Sequence, residues 1–313
     1  MSRRRGAGRA GRWTAGVAGV LAVLLVLLAG YGVLVEPRLV LDERRLEVAL
    51  PGAAADADPV RAVFLSDLQV GMWWANTGMV ERAAQRGADV DPDLVLLGGD
   101  YLYSRVPDPA VQARTVVDLL EPLLALDVPV VAVLGNHDHA SGGAEEVTAA
   151  LEDAGVRVLE NDSTRVASAG LHVVGLGTVR QDLVDVDAAL DDVPTAAPRV
   201  VLSHNPTAFP RLPAGSAPLT LAGHTHCGQV ALPGTPRWSY LGLTEEEALV
   251  ADGWAPAGYG TDGNRLFVSC GIGFSAYPVR VNAPPQLVVV DLVPDAGTAA
   301  PRNFPADSRI LVP

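Results

Sequence analysis

The chain has 313 residues, a formal net charge of −13 and no lysine, which excludes a Walker-type phosphate loop and any Schiff-base or lysine-base mechanism. Five of its 23 basic residues (Arg3, Arg4, Arg5, Arg9 and Arg12) precede residue 13, leaving 18 Arg against 36 Asp and Glu beyond them. A domain so acidic has no basic face for nucleic acid, and its carboxylates are the ligands that hard cations prefer.

Residues 13–35 carry no charge over 23 positions; at about 1.5 Å rise per residue this spans a roughly 30 Å hydrocarbon core. The segment reads as one transmembrane anchor behind a basic N-terminus at 1–12. The positive-inside rule puts that N-terminus in the cytoplasm and everything after about Glu36 outside, as a single-pass protein of the cell membrane. Two other readings compete. A cleavable signal peptide has a shorter apolar core and a small-x-small site, which Ala29-Gly30-Tyr31 matches poorly. Ser2-Arg3-Arg4-Arg5-Gly6 lacks the large apolar residue of a twin-arginine signal. Outside the cytoplasm, Cys227 and Cys270, the only two cysteines, can pair as a disulfide; two inert buried thiols are the alternative.

After the anchor, residues 38–51 alternate as a strand near a sheet edge. Strand, loop and helix then repeat: strands at 60–65, 94–97, 128–134 and 156–159, with helices at 77–88, 109–126 and 144–154. The second half holds strands at 171–174, 199–202, 219–222, 229–232, 265–269 and 286–292, and a loop-rich stretch at 233–263. The Ala/Pro-rich segment 294–313 reads as a disordered tail. The folded domain therefore runs from 38 to 293 as an α/β core, in which ligands bind beyond the carboxyl ends of strands.

Those strand ends carry a recurring chemistry. Asp67 and Gln69 follow the 60–65 strand, Asp100 the next, Asn136-His137-Asp138 the third, and His204, His224 and His226 later ones. Singly, each has a structural explanation as a cap or turn residue. Together they make the carboxylate, amide and imidazole mixture that binds Mn, Fe or Zn. Two such ions about 3.5–4 Å apart need a bridging carboxylate, and Asp100, behind Gly98-Gly99, is best placed for it. His172 reads as packing within a strand, and His139 as bordering the site. Gly271 to Ala276 fits a dinucleotide G-x-G-x-x-A pattern, but Pro278 interrupts the helix it needs. Trp73 and Trp74 suit substrate stacking, the membrane interface or a core. Arg280 suits a phosphate contact or a structural salt bridge.

In this order, Ser66-Asp67-Leu68-Gln69, Gly98-Gly99-Asp100, Gly135-Asn136-His137-Asp138, His204 and Gly223-His224-Thr225-His226 resemble the five blocks of the calcineurin-like metallophosphoesterases. Cys227-Gly228-Gln229 and the Gly271–Pro285 stretch point to the membrane-associated subgroup of YkuE- and YaeI-type phosphodiesterases. The resemblance spans about 38–292. It implies a four-layer α/β/β/α sandwich of two mixed sheets and a hydrolase of phosphodiester, pyrophosphate or phosphomonoester bonds. It also implies two divalent ions (Mn, Fe or Zn). Asp67, Asp100 and His226 would bind the first, and Asn136, His204 and His224 the second, with Asp100 bridging. His137 would stabilise the transition state or protonate the leaving oxygen, with Asp138 orienting its ring, while a bridging hydroxide attacks phosphorus in line. Gln69 stands where the family usually has His. Its neutral amide would bind the first ion weakly, act through water or leave a position open, favouring an oxygen-preferring ion such as Mn²⁺. The expected substrate is a lipid or cell-envelope molecule and the expected state a monomer. The alternative is a non-catalytic metal- or ligand-binding envelope protein on the same fold.

Overall fold

The computed structural model describes residues 5–232, 235–239, 242–295, 302–303 and 308–312. The uncharged run forms helix α1 (Arg5–Gly30), continues through a π-helical turn at Tyr31–Val35 and ends in α2 (Glu36–Leu39). Leu25 and Val26 are 66% and 70% exposed, so no part of the described fold covers these apolar side chains. Among the described residues it is the one helix long and apolar enough to cross a bilayer. Its end is not loose. Gly32 O accepts a hydrogen bond from Arg280 N at 2.8 Å, and buried Glu36 accepts from the amides of Asn282 and Ala283.

Strand β1 (Val40–Leu50) and β2 (Val60–Leu65) precede α3 (Thr77–Asp89), β3 (Leu94–Leu97), α4 (Pro109–Leu124) and β4 (Val130–Val133). Short α5 (Asn136–Ala140), α6 (Ala144–Asp153) and β5 (Arg157–Leu159) complete the first half. The second half runs β6 (Asp162–Val166), β7 (Leu171–Gly175), α7 (Val186–Leu190), β8 (Arg199–Leu202) and β9 (Thr220–Ala222). The hairpin strands β10 (Ala231–Leu232) and β11 (Thr235–Ser239) come next, before α8 (Glu245–Leu249), β12 (Gly253–Trp254) and β13 (Leu266–Val268). Last are β14 (Gln286–Pro294), β15 (Arg302–Asn303) and β16 (Ser308–Leu311).

One mixed sheet has the order β15-β1-β14-β2-β3-β4-β5, with β16 also on β1; the other has β12-β13-β9-β8-β7-β6. Alternation along the strands builds the layers. Val63, Leu65, Val95 and Leu97 pack outward against Met79, Val116 and Leu120 of α3 and α4. Phe64, Leu94 and Leu96 point inward onto Val200, Leu202, Leu221 and Phe267 of the second sheet. Val174 and Val201 cover that sheet's far side with Ala189 and Phe209. The result is the expected four-layer α/β/β/α sandwich.

Three stretches differ from the sequence reading. Asp162–Val166 is a strand; its polar, partly exposed side chains hid it. The 233–263 stretch holds β11, α8 and β12, while Tyr240 and the side chain of Trp238 lie outside the described residues. The segment read as a disordered tail returns to the sheet, where Val40 pairs with Leu311 and Glu43 with Ser308. Its low hydrophobicity misled because the adjacent strand, not a core, supplies its partners. Residues 296–301, 304–307 and 313 of that tail lie outside the described residues.

Cys227 and Cys270 are joined in a disulfide across 43 residues, beside Ala283. For a loop of that length, replacing both with Ser is expected to lower the unfolding free energy by about 4 kcal/mol. Guanidinium denaturation checks this, and an unchanged midpoint would refute it.

Candidate metal centre

Strands β2, β3 and β4 run parallel, as do β8 and β9. Their carboxyl ends bring Asp67, Asp100 and Asn136 from one sheet toward His204, His224 and His226 from the other. Asp67, Asp100 and His226 offer ligand atoms within 4.8 Å of one another, and so do Asp100, His204 and His224. The two sets share Asp100. Five of the seven expected ligands carry positive φ: Asp67 57°, Gln69 53°, Asp100 55°, His224 72° and His226 49°. Holding such residues left-handed costs about 1–3 kcal/mol each, a strain that folds retain where side chains must converge.

Glycine makes the approach possible. Gly271 has φ +61°, and a Cβ there would lie 2.5 Å from the Asp67 Cβ. Gly271→Ala is therefore expected to destabilise the fold by about 1–3 kcal/mol and to lose one bound ion. Elemental analysis beside a thermal melt tests it; full metal content would refute the argument.

Three of the expected ligands each keep a buried atom without a hydrogen-bond partner: His204 Nε2, His224 Nδ1 and Gln69 Oε1. Buried polar atoms are rarely left so unless something else binds them. In each imidazole the opposite nitrogen is occupied. His204 Nδ1 lies 2.9 Å from Gly98 O, and His224 Nε2 lies 2.9 Å from Glu247 Oε1. Both acceptors require a proton on the nitrogen facing them, so the other nitrogen is the one left to face an ion: His224 Nδ1 as a lone pair, and His204 Nε2 once it gives up its proton, as in metal-ligating histidines. The donor set thus fits divalent ions.

The electrostatics agree. Burial alone would push the His204 pKa down, but Asp100, 3.3 Å away, outweighs it and raises it to about 9. Burial likewise opposes ionisation of Asp100, yet His204 and His137 hold its carboxyl well below the usual carboxylate range. The pair attracts positive charge, and metal binding at such a site releases a proton. Burial lowers the His224 pKa, and burial also takes that of His226 to about 4, against the pull of Asp67. Both rings are neutral at pH 7, the state a ligand needs.

Gln69 is fully buried, and its amide nitrogen donates to Asp100 Oδ2 at 2.9 Å. It therefore steadies the shared carboxylate and keeps Oε1 as an oxygen donor. Asp67 accepts from His224 N and from Ser66 Oγ, and its Oδ1 lies 3.4 Å from His226 Nε2. Asn136 Oδ1 accepts from Asn205 Nδ2 at 3.3 Å, while Asn205 Oδ1 accepts from Thr178 Oγ1 and Val179 N.

Asp138 does something other than orient the His137 ring. Its Oδ1 accepts from Leu102 N and its Oδ2 from Asp100 N and Gly135 N. It is a buried clamp on the loops that carry the ligands, with its pKa raised to about 7 by burial and the neighbouring Asp100. The ring of His137 is set instead by Ser104, whose amide donates to Nδ1 at 3.2 Å, and by stacking on Tyr103 at 5.8 Å. Its proton therefore sits on Nε2, 3.9 Å from Asp100 Oδ2. His139 pairs with Glu160 at 3.4 Å instead of with a ligand.

Arg280 makes neither contact foreseen for it. It is fully buried, donates to the carbonyls of Gly273, Ala283 and Cys270, and ends 3.3 Å from His226 Nδ1. The residues missed were Glu247 and Arg180. Glu247 Oε2 accepts from Thr244 N in a capping box, while Oε1 faces His224 and, at 3.0 Å, Arg180. The hydrogen bond from His224 lowers the Glu247 pKa to about 2. Its one sequence signal was Thr244-x-x-Glu247, a helix start whose second function shows only in space.

The calcineurin-like phosphoesterase family profile matches residues 60–228. The chain is 32% identical to phosphodiesterase YaeI of Escherichia coli over 247 residues, covering 76% of this chain and 84% of that protein. It is 27% identical over 211 residues to the uncharacterized metallophosphoesterase YkuE of Bacillus subtilis, covering 64% of this chain and 68% of that one. It is also 22% identical over 247 residues to the UDP-2,3-diacylglucosamine pyrophosphatase LpxG of Chlamydia trachomatis, covering 64% and 73%.

Proposed function

Because the chain belongs to the calcineurin-like phosphoesterases, and so is a metal-dependent hydrolase of phosphate esters, we propose that it is a two-metal phosphodiesterase or pyrophosphatase of a lipid-linked or cell-envelope substrate, held to the membrane by α1. The observation that carries this reading is the pair of ligand sets sharing Asp100. Asp67, Asp100 and His226 would hold one ion, with Gln69 Oε1 in reserve. Asp100, Asn136, His204 and His224 would hold the other. Ions there supply charge against the phosphate oxygens and a water acidic enough to attack phosphorus at neutral pH.

The chain's own groups do the rest. His137 keeps its proton on Nε2 and offers it as a hydrogen bond to a phosphate oxygen as charge builds there in the transition state. Arg180, 52% exposed in its side chain at the rim beside His224, offers a guanidinium to a non-bridging phosphate oxygen. The substrate class rests on the names of relatives: YaeI is a phosphodiesterase, and LpxG a pyrophosphatase of UDP-2,3-diacylglucosamine.

Purified full-length protein with Mn²⁺ is expected to hydrolyse bis-p-nitrophenyl phosphate, to lose the activity in EDTA and to regain it on re-addition of Mn²⁺. Absence of turnover on that diester and on p-nitrophenyl phosphate with Mn²⁺, Zn²⁺ and Fe²⁺, while two ions are bound, would favour the non-catalytic binding protein.

A further inference from the structure

Beyond the anchor, the described residues include three aromatic side chains that are more than half exposed: Trp73 at 59%, Trp74 at 52% and Tyr277 at 55%. All three lie in segments tied to the end of the anchor. Arg38 of α2 donates to the carbonyls of Trp74 and Ala75 and to Asn76 Oδ1, and its guanidinium lies 4.7 Å from the Trp74 ring centroid. Asn76 in turn donates to Pro37 O. On the other side, the segment after Tyr277 reaches Gly32 and Glu36 through the amides of Arg280, Asn282 and Ala283. The helix therefore passes into the domain without a free linker, and the exposed rings stand where it would leave the hydrocarbon.

The same segments continue directly into the metal centre. Trp73 is four residues past Gln69, and Arg280 follows Tyr277 by three and ends 3.3 Å from His226 Nδ1. Charge does not explain an attraction to lipid, since the chain beyond residue 12 holds 18 Arg against 36 acidic residues and anionic headgroups repel such a domain. Tryptophan and tyrosine need no charge, because their amphipathic rings partition to the headgroup level of a bilayer.

We propose that Trp73, Trp74 and Tyr277 seat this face in the interfacial layer of the membrane that α1 spans, so that the Gln69 and His226 side of the site meets phosphate groups at headgroup depth. The second clause rests on the phosphoesterase reading; the seating itself does not. The occupant of this surface is the bilayer, and a protein partner there is the competing outcome.

Full-length protein in phosphatidylethanolamine/phosphatidylglycerol nanodiscs, spin-labelled at Trp73→Cys or Tyr277→Cys, tests it by collision with oxygen and a water-soluble nickel chelate. Ser168→Cys, exposed on the turn between β6 and β7 at the far end of the sandwich, is the control. Labels at 73 and 277 are expected at interfacial depth and the label at 168 in bulk water. Equal nickel access at all three positions overturns the proposal.

A second arm uses Trp73→Ser/Trp74→Ser. Its hydrolysis of a diacylglycerol p-nitrophenyl phosphodiester in the same nanodiscs should fall about tenfold, roughly the effect of losing one buried aromatic side chain. Its turnover of soluble bis-p-nitrophenyl phosphate should stay within about twofold of wild type by the same argument. Equal losses on both esters would make the pair part of the site and overturn the proposal. A wild type inactive on both esters would sink the phosphoesterase reading alone, leaving the depth measurement to judge the seating.

Discussion

Asp100→Asn is expected to lower turnover by at least about 10³-fold, the scale of removing a preorganised electrostatic partner from a transition state, and to empty both metal positions together. The residue belongs to both ligand sets. Its Oδ1 accepts from His137 N at 2.7 Å and its Oδ2 from Gln69 at 2.9 Å. An amide has the same size but turns one of these two acceptors into a donor and removes the charge that attracts His204. The melt should stay cooperative, because the neutral variant no longer buries a carboxylate. Steady-state hydrolysis and metal content measured on one preparation decide the matter. Retention of either ion at wild-type stoichiometry would falsify the shared position.

Glu247→Ala should weaken one ion about 10–100-fold and leave the other, the usual cost of losing the group that orients a ligating imidazole. Without Oε1 at 2.9 Å, His224 has no acceptor fixing its tautomer, and Nδ1 no longer presents its lone pair reliably. Two-site titration with Mn²⁺ reads the effect. Excess Mn²⁺ should restore much of the activity, and Glu247→Gln should fall between, because a side-chain oxygen remains to accept from His224. Unchanged affinities would remove Glu247 from the site.

Much of this centre was visible in the linear chain because parallel strands place their carboxyl ends on one edge. Any block following an apolar strand is then a neighbour of the next. Asp67, Asp100, Asn136, His204 and the two histidines of the 223–226 block obey that rule. Glu247 does not follow such a strand. It reaches His224 from a one-turn helix that follows the β10–β11 hairpin, and nothing in the order of residues links the two. The roles of Asp138 and Arg280 were misjudged for a related reason. Both were assigned to the partner their charge would seek in water, whereas burial made backbone amides and carbonyls their only adequate partners. The strand at 308–311 was hidden because its pairing to β1 crosses nearly the whole chain.

That long return has a kinetic consequence. β2, which delivers Asp67, is flanked on one side by β3 and on the other by β14, whose residues begin at Gln286. β1, next to the anchor, lies against β14 in parallel register from Asp42–Gln286 to Leu50–Pro294. Until residues 286–294 have been made, β2 is paired on one side only and β1 has no strand partner, and closing such non-local pairs is slow. Synthesis of most of the described strands thus precedes assembly of the site: the chain waits with part of a sheet, and its edges are exposed to chaperones and proteases until β14 slots between β1 and β2.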